Sequence, residues 1–118
     1  MTTINGSKDC GNSPKNSFVE KIAIALTTGR AEEGDFSEDV NWEGSLGETV
    51  EGRPALFQAL ARQPKPDIVI IEHAISHGRA GAASGRLTLV NGEVRRFCHV
   101  LEFTSVKANC ISTIKSFA

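Results

Sequence analysis

Apolar and polar residues alternate with a two-residue period through much of residues 68–103, a pattern that predicts strands buried on one face. The runs IVIIEHAIS, RAGAASGRLTLV and EVRRFCHVLEF are each of strand length. Between them stand His77-Gly78 and Asn91-Gly92, dipeptides suited to tight turns, so the stretch predicts two successive hairpins at the centre of a curved antiparallel sheet. Two-residue loops at both places set a register in which Val90 opposes Glu93, Ser84 opposes His99, and Ser84 lies near Ile71 and His73. One face then gathers Val69, Ile71, His73, Ile75, Ala82, Ser84, Arg86, Arg95, Phe97, His99, Leu101 and Phe103. The other carries Glu72, Ala74, Gly81, Ala83, Gly85, Leu87, Arg96, Cys98, Val100 and Glu102, with small residues in the middle strand that admit a close neighbour. A bulge at Gly81 or Gly85 would exchange part of the two sets.

Upstream the period becomes helical. Ser13-Pro14 joins an N-cap residue to a proline at the first helical position, and Phe18, Val19, Ile22, Ala23 and Leu26 form an apolar stripe that ends near Thr28-Gly29. Residues 31–36 predict an acidic helical turn, residues 39–44 a short strand and residues 44–52 a loop. Pro54 opens a second helix with Leu56, Phe57 and Leu60 inward, and Gln63-Pro64-Lys65-Pro66 closes it. After a loop at residues 104–109, a final strand over residues 110–117 brings Ser112, Ile114 and Ser116 to the face of His99. Residues 1–13 are polar and predict a disordered leader, which leaves residues 14–118 as one domain.

A length of 118 residues suits a single core. The 13 basic and 14 acidic residues include no polybasic run, which speaks against nucleic acid or an anionic membrane as partner. The longest apolar runs, residues 22–26 and 68–71, fall short of the roughly 20 residues of a membrane span, and the polar N-terminal stretch has no signal-peptide core. Cys10, Cys98 and Cys110 show neither CxxC nor metal-ligand spacing and read as free thiols of a cytoplasmic protein, Cys10 being inert in the leader. No metal and no cofactor are expected.

In chain order, SPKNSFVEKIAIAL, DVNWEG followed by EGRPALFQAL, ISHG with GAASG, and FCHVLEF with ISTIKSF resemble the elements of the nuclear transport factor 2-like superfold, from about Ser13 onward. That superfold also includes ketosteroid isomerases and SnoaL-type polyketide cyclases. The resemblance implies a cone-shaped α+β fold in which a curved antiparallel or mixed sheet wraps around N-terminal helices. It further implies an apolar pocket between helices and sheet, and a homodimer through the other face of the sheet. The same cone hosts enzymes, binding proteins and scaffolds, so function has to be argued from the site.

His99 stands where many enzymatic relatives place a pocket aspartate, and an imidazole there suits a general base or acid, with His73 as its partner. The same ring would equally serve a core by hydrogen-bonding Ser84 or Ser116. Trp42, the sole tryptophan, falls on a strand that the resemblance implies runs along the pocket rim, and suits either ligand stacking or plain packing. Ser84, Phe97, Leu101 and Ser116 share the face of His99 and complete the candidate ligand-binding wall. Arg53, beside a helix N-terminus, suits a ligand carboxylate or a tie to Glu48 and Glu51. Asp35 and Asp39 are candidate acids near the mouth, and Arg86 and Arg95 suit its wide end.

Two histidines without a third ligand do not make a metal site. The chain contains no tyrosine, so the tyrosine donor of ketosteroid isomerases has no counterpart. The residues thus read as a small-molecule-binding domain with an apolar pocket for an unknown small apolar ligand. The alternative is a cofactor-free SnoaL-like isomerase or cyclase using His99 as general base. A pure interaction module would instead fill the cone with its own side chains.

Overall fold

The computed structural model describes residues 2–8, 11 and 13–117; Cys10, expected as an inert thiol, lies outside the described residues. Helix α1 spans Pro14–Thr28, with Ser13 Oγ accepting the Asn16 N–H at 3.2 Å and Gly29, at φ 79°, ending it in the left-handed region. Its stripe of Val19, Ile22, Ala23 and Leu26 is buried. Helix α2 spans Arg53–Arg62 and buries Leu56 and Leu60, while Phe57 meets Phe36 edge-on at 6.0 Å. Both helices start at a proline-bearing first turn and expose their polar side, as the local signals require.

Among the described residues there are seven strands: β1 Thr3–Asn5, β2 Phe36–Glu43, β3 Thr49–Glu51, β4 Ile68–His77, β5 Ala80–Thr88, β6 Val94–Phe103 and β7 Ile111–Phe117. They form one mixed sheet of order β1-β4-β5-β6-β7-β2-β3, parallel at β1–β4 and β2–β7 and antiparallel elsewhere. β1 falls within the stretch expected to lack regular structure; its backbone pairs with the edge of β4 although its side chains are exposed. β3 likewise occupies part of the expected loop, paired to β2. Helix α1 packs on β4 and β5, and α2 on β2 and β3, giving the expected α+β cone with a curved sheet wrapped around the helices.

Two local features correct the expected assignment of faces. Asn91-Gly92 does turn the chain, but Val90 joins the loop. The Gly92 N–H bonds Leu89 O and the Leu89 N–H bonds Glu93 O, with Gly92 at φ 88°. The extra loop residue moves β5 by one position, so Ala83, not Ser84, pairs with His99. Because side chains alternate, that single step turns β5 over. The second feature is a register shift in β4 at Glu72, between Ile71 and His73, away from the glycines where a bulge was anticipated. Beyond it Ala74 faces the core, while His73 and Ile75 face outward, Ile75 being 57% exposed.

The core side therefore carries Val69, Ile71, Ala74, Ala83, Phe97, Leu101 and Phe103 against α1. Ala74, Ala83 and Gly85, expected on the face that meets a second copy, are buried beneath it. The outer face carries His73, Ile75, Ala82, Ser84 and Arg86 in their place, beside Cys98 and Val100, which lie on the face expected for them. Gly81 in β5 lets α1 come close, since a Cβ there would stand 2.7 Å from Val19 Cγ2, while a Cβ at Gly85 would meet Ile70 O of the neighbouring strand and the Phe97 ring. Gly85→Ala is expected to cost about 2 kcal/mol in urea unfolding through overpacking against backbone that cannot give way. Val90→Ala, at a site 81% exposed, should stay within about 0.5 kcal/mol. A Gly85→Ala protein as stable as its parent would contradict this close packing.

Candidate functional site

The helix-facing side of the sheet is not filled along its whole length. Near the end of α1 a cavity of about 410 Å³ remains, bounded by Leu26 and Thr27 of α1, Trp42 of β2, Val50 of β3, and Leu87, Phe97, His99 and Ser116 of the sheet. Ser45 and Glu48 of the β2–β3 loop, Pro64 after α2, and Arg95 belong to the same lining and are exposed, so the cavity reaches solvent there. Arg95 pairs with Glu93, and Thr27 Oγ1 is bonded to Ala23 O and Ile24 O of its own helix. These lining groups are committed, and the wall is mostly apolar.

The buried polar part is a three-residue arrangement. His99 and Ser116 are direct partners across the β6–β7 ladder, and His99 Nδ1 lies 2.7 Å from Ser116 Oγ. β2 runs parallel to β7 with Trp42 opposite Ile114, so the indole reaches one same-face position along to Ser116. Trp42 Nε1 donates to Ser116 Oγ at 2.7 Å. The Phe97 ring stands 5.3 Å from that of His99, tilted by 30°. His99 is 6% exposed, and its Nε2 has no hydrogen-bond partner. Burial disfavours the charged ring and pushes its pKa from the ordinary 6.5 down to about 4.

Of the residues singled out from sequence, His99, Trp42, Phe97 and Ser116 meet at this cavity. Ser84 and His73 pair with each other on the outer face, and His73 is exposed; the turned strand and the Glu72 bulge put them there. Leu101 is fully buried in the core and does not line the cavity. Arg53 donates to the carbonyls of Glu33 and Phe36, at 3.3 and 3.2 Å, in place of the expected tie to Glu48 and Glu51. It borders a separate recess with Glu38, Pro54 and Phe57. Asp35 pairs with Lys21 at 2.9 Å, and Asp39 is an exposed residue outside the lining.

Leu26, Thr27, Val50 and Leu87 line the site without having been singled out for it. Leu26 read as ordinary helix core, Val50 lay in the stretch expected as a loop, and Leu87 fell on the wrong face of the expected register. Among the described residues no group of three or more His, Cys, Asp or Glu side chains is placed to hold a metal ion. No described helix is long and apolar enough to cross a membrane.

This arrangement of helices and sheet is the nuclear transport factor 2-like α+β fold. A proposed ketosteroid isomerase from Kribbella flavida superposes with a TM-score of 0.73 at 23% identity, over 87% of this chain and 76% of that one. An NTF2-like protein of unknown function from Mesorhizobium loti gives 0.68 at 16% identity over 98% and 97% of the two chains. A proposed isomerase of the SnoaL-like family from Agrobacterium tumefaciens gives 0.66 at 14% identity over 87% and 96%. At these identities the likeness establishes the fold alone. No family model matches the chain, and no curated protein matches it in sequence.

The burial of His99 has a consequence for stability. In the unfolded chain the ring takes up a proton near pH 6.5, whereas in the folded chain it does so only near 4. Between those values the unfolded state binds more protons, so the stabilisation is complete above about pH 6.5 and is lost as pH falls to about 4. The loss amounts to about 3 kcal/mol, at about 1.4 kcal/mol per pH unit. Urea unfolding of the parent and of His99→Asn, which keeps an acceptor toward Ser116, should diverge by this amount between pH 7 and pH 4. Parallel curves would show that the folded ring titrates as it does in the unfolded chain.

Proposed function

We propose that this chain is a small-molecule-binding domain whose ligand occupies the cavity beside His99. The observation that carries the reading is a mostly apolar chamber that the chain's own side chains leave open, with the buried His99 in its lining. A volume of about 410 Å³ falls within the roughly 300–1,000 Å³ typical of such sites. The free thiols Cys98 and Cys110 support a cytoplasmic setting. A homodimer through the sheet would be built on the outer face, where Ile75 and Phe117 are 57% and 49% exposed.

The second reading is a cofactor-free isomerase or cyclase with His99 as general base. Its support is the position of an ionisable ring at the buried part of the cavity, together with the proposed isomerases among the structures that share the fold. The low basicity that burial imposes on His99 weighs against a proton-abstracting role near neutral pH. Binding is therefore the reading the geometry supports best.

Trp42 is the sole tryptophan and lines the cavity, so its emission reports occupancy. A panel of small aromatic and carbonyl compounds is expected to include members that change this emission saturably. Val50→Phe, which places a ring in the chamber, should weaken them about tenfold or more while leaving the circular dichroism spectrum intact. No saturable change across the panel, or undiminished affinity in Val50→Phe, would remove the reading. Turnover of a bound compound by the parent and not by His99→Ala would favour the enzyme instead.

A further inference from the structure

We propose that Arg95 makes the cavity selective for apolar molecules that carry a carboxylate, the apolar part lying inside and the anion standing at the mouth. The inference rests on the small-molecule reading and names its ligand class. Arg95 comes two positions before Phe97 on β6 and stands opposite Leu87 of β5, and all three line the cavity. Alternation along the strand puts the stem of Arg95 on the cavity side of the sheet, at the end where the lining reaches solvent. An arginine so placed lays its methylenes along apolar wall and keeps its charge at the boundary with water. Further in, Leu26, Trp42, Val50, Leu87 and Phe97 carry no charge. The site is graded from an apolar interior to a cationic rim.

The neighbouring charges leave that rim open to an anion. Glu93 accepts from Arg95 Nε, an exposed pair that leaves the two terminal amino groups of the guanidinium without a protein partner among the described residues. Exposed pairs contribute little, and the terminal fork matches the two oxygens of a carboxylate. Arg96 follows Arg95 and so starts from the outer side of the sheet, where it donates to Glu72 at 3.3 Å. Glu48, the acid of the lining, folds its carboxylate back onto Gly44 of its own turn, where a Cβ would collide with Oε1. A cationic ligand would meet Arg95 head-on, so the rim discriminates by repulsion as well as by attraction.

The test uses the full chain and three probes that share one apolar body: 4-phenylbutyrate, the neutral 4-phenylbutanamide and the cationic 4-phenylbutylamine. Calorimetry and Trp42 emission at pH 7 and low salt should rank the carboxylate about fivefold tighter than the amide, with the amine weakest. Arg95→Gln should bind carboxylate and amide alike, whereas Arg86→Gln, which removes the same charge from the outer face, should keep the preference. Glu93→Gln, which frees Nε, should strengthen it. High salt should erase the advantage of the carboxylate and leave the amide unchanged. Equal binding of carboxylate and amide by the parent, or a preference that survives in Arg95→Gln, overturns the inference while leaving the small-molecule reading in place. A fall of equal size for both probes in Arg95→Gln would show a structural role and overturns it too. Failure of all three probes to bind the parent removes that reading and the inference with it.

Discussion

The arrangement depends on how closely α1 approaches the middle of the sheet. Gly81 and Ala83 offer little side chain in β5, and Val19 of α1 occupies the space that a larger residue would claim. Close approach there settles the core, because Val69, Ile71, Leu101 and Phe103 then gather around the helix. It also leaves a remainder. α1 ends at Gly29, and its last turn supplies only Leu26 and Thr27 to the part of the sheet where Leu87, Phe97 and His99 lie. The cavity is the space that the helix does not reach, and Gln63 and Pro64 after α2, together with the β2–β3 loop, border it without filling it.

Helices were legible in the sequence because their signals are local. Ser13-Pro14, the stripe from Phe18 to Leu26 and the closing Gly29 all act within a turn or two, and α1 begins and ends where they say. The hairpins were equally plain as elements. Their faces were not, because a face depends on counting residues through a turn, and a loop of two differs from a loop of three by hydrogen bonds that Asn-Gly alone does not reveal. The same holds for the bulge at Glu72, which no glycine marks. β1 escaped notice because its three side chains are exposed and its backbone alone does the pairing.

The site shows the same division. His99, Phe97 and Ser116 were placed together correctly because β6 and β7 are antiparallel neighbours with a short connection, and Trp42 joined them through the strand order of the fold. Ser84 and His73 were assigned by alternation across the two misjudged places and therefore went to the wrong side. Arg53 behaves as a structural residue: its guanidinium ties the start of α2 to the carbonyls of Glu33 and Phe36. The hydrogen bond of Trp42 to Ser116 joins residues 74 positions apart, and no pairwise spacing in the sequence announces it.

The loop of Val90, Asn91 and Gly92 carries a constraint of an unusual kind. Surface loops ordinarily accept insertions and deletions, and Val90 is itself 81% exposed. Here the number of residues between Leu89 and Glu93 decides which side of a strand looks inward. Losing one would offer α1 the set of Ala82, Ser84 and Arg86, or turn β6 over in its place. An exposed turn thus acts as a counter: an odd change in its residue number inverts a strand, whereas its side chains, apart from the glycine at φ 88°, set nothing inside the protein.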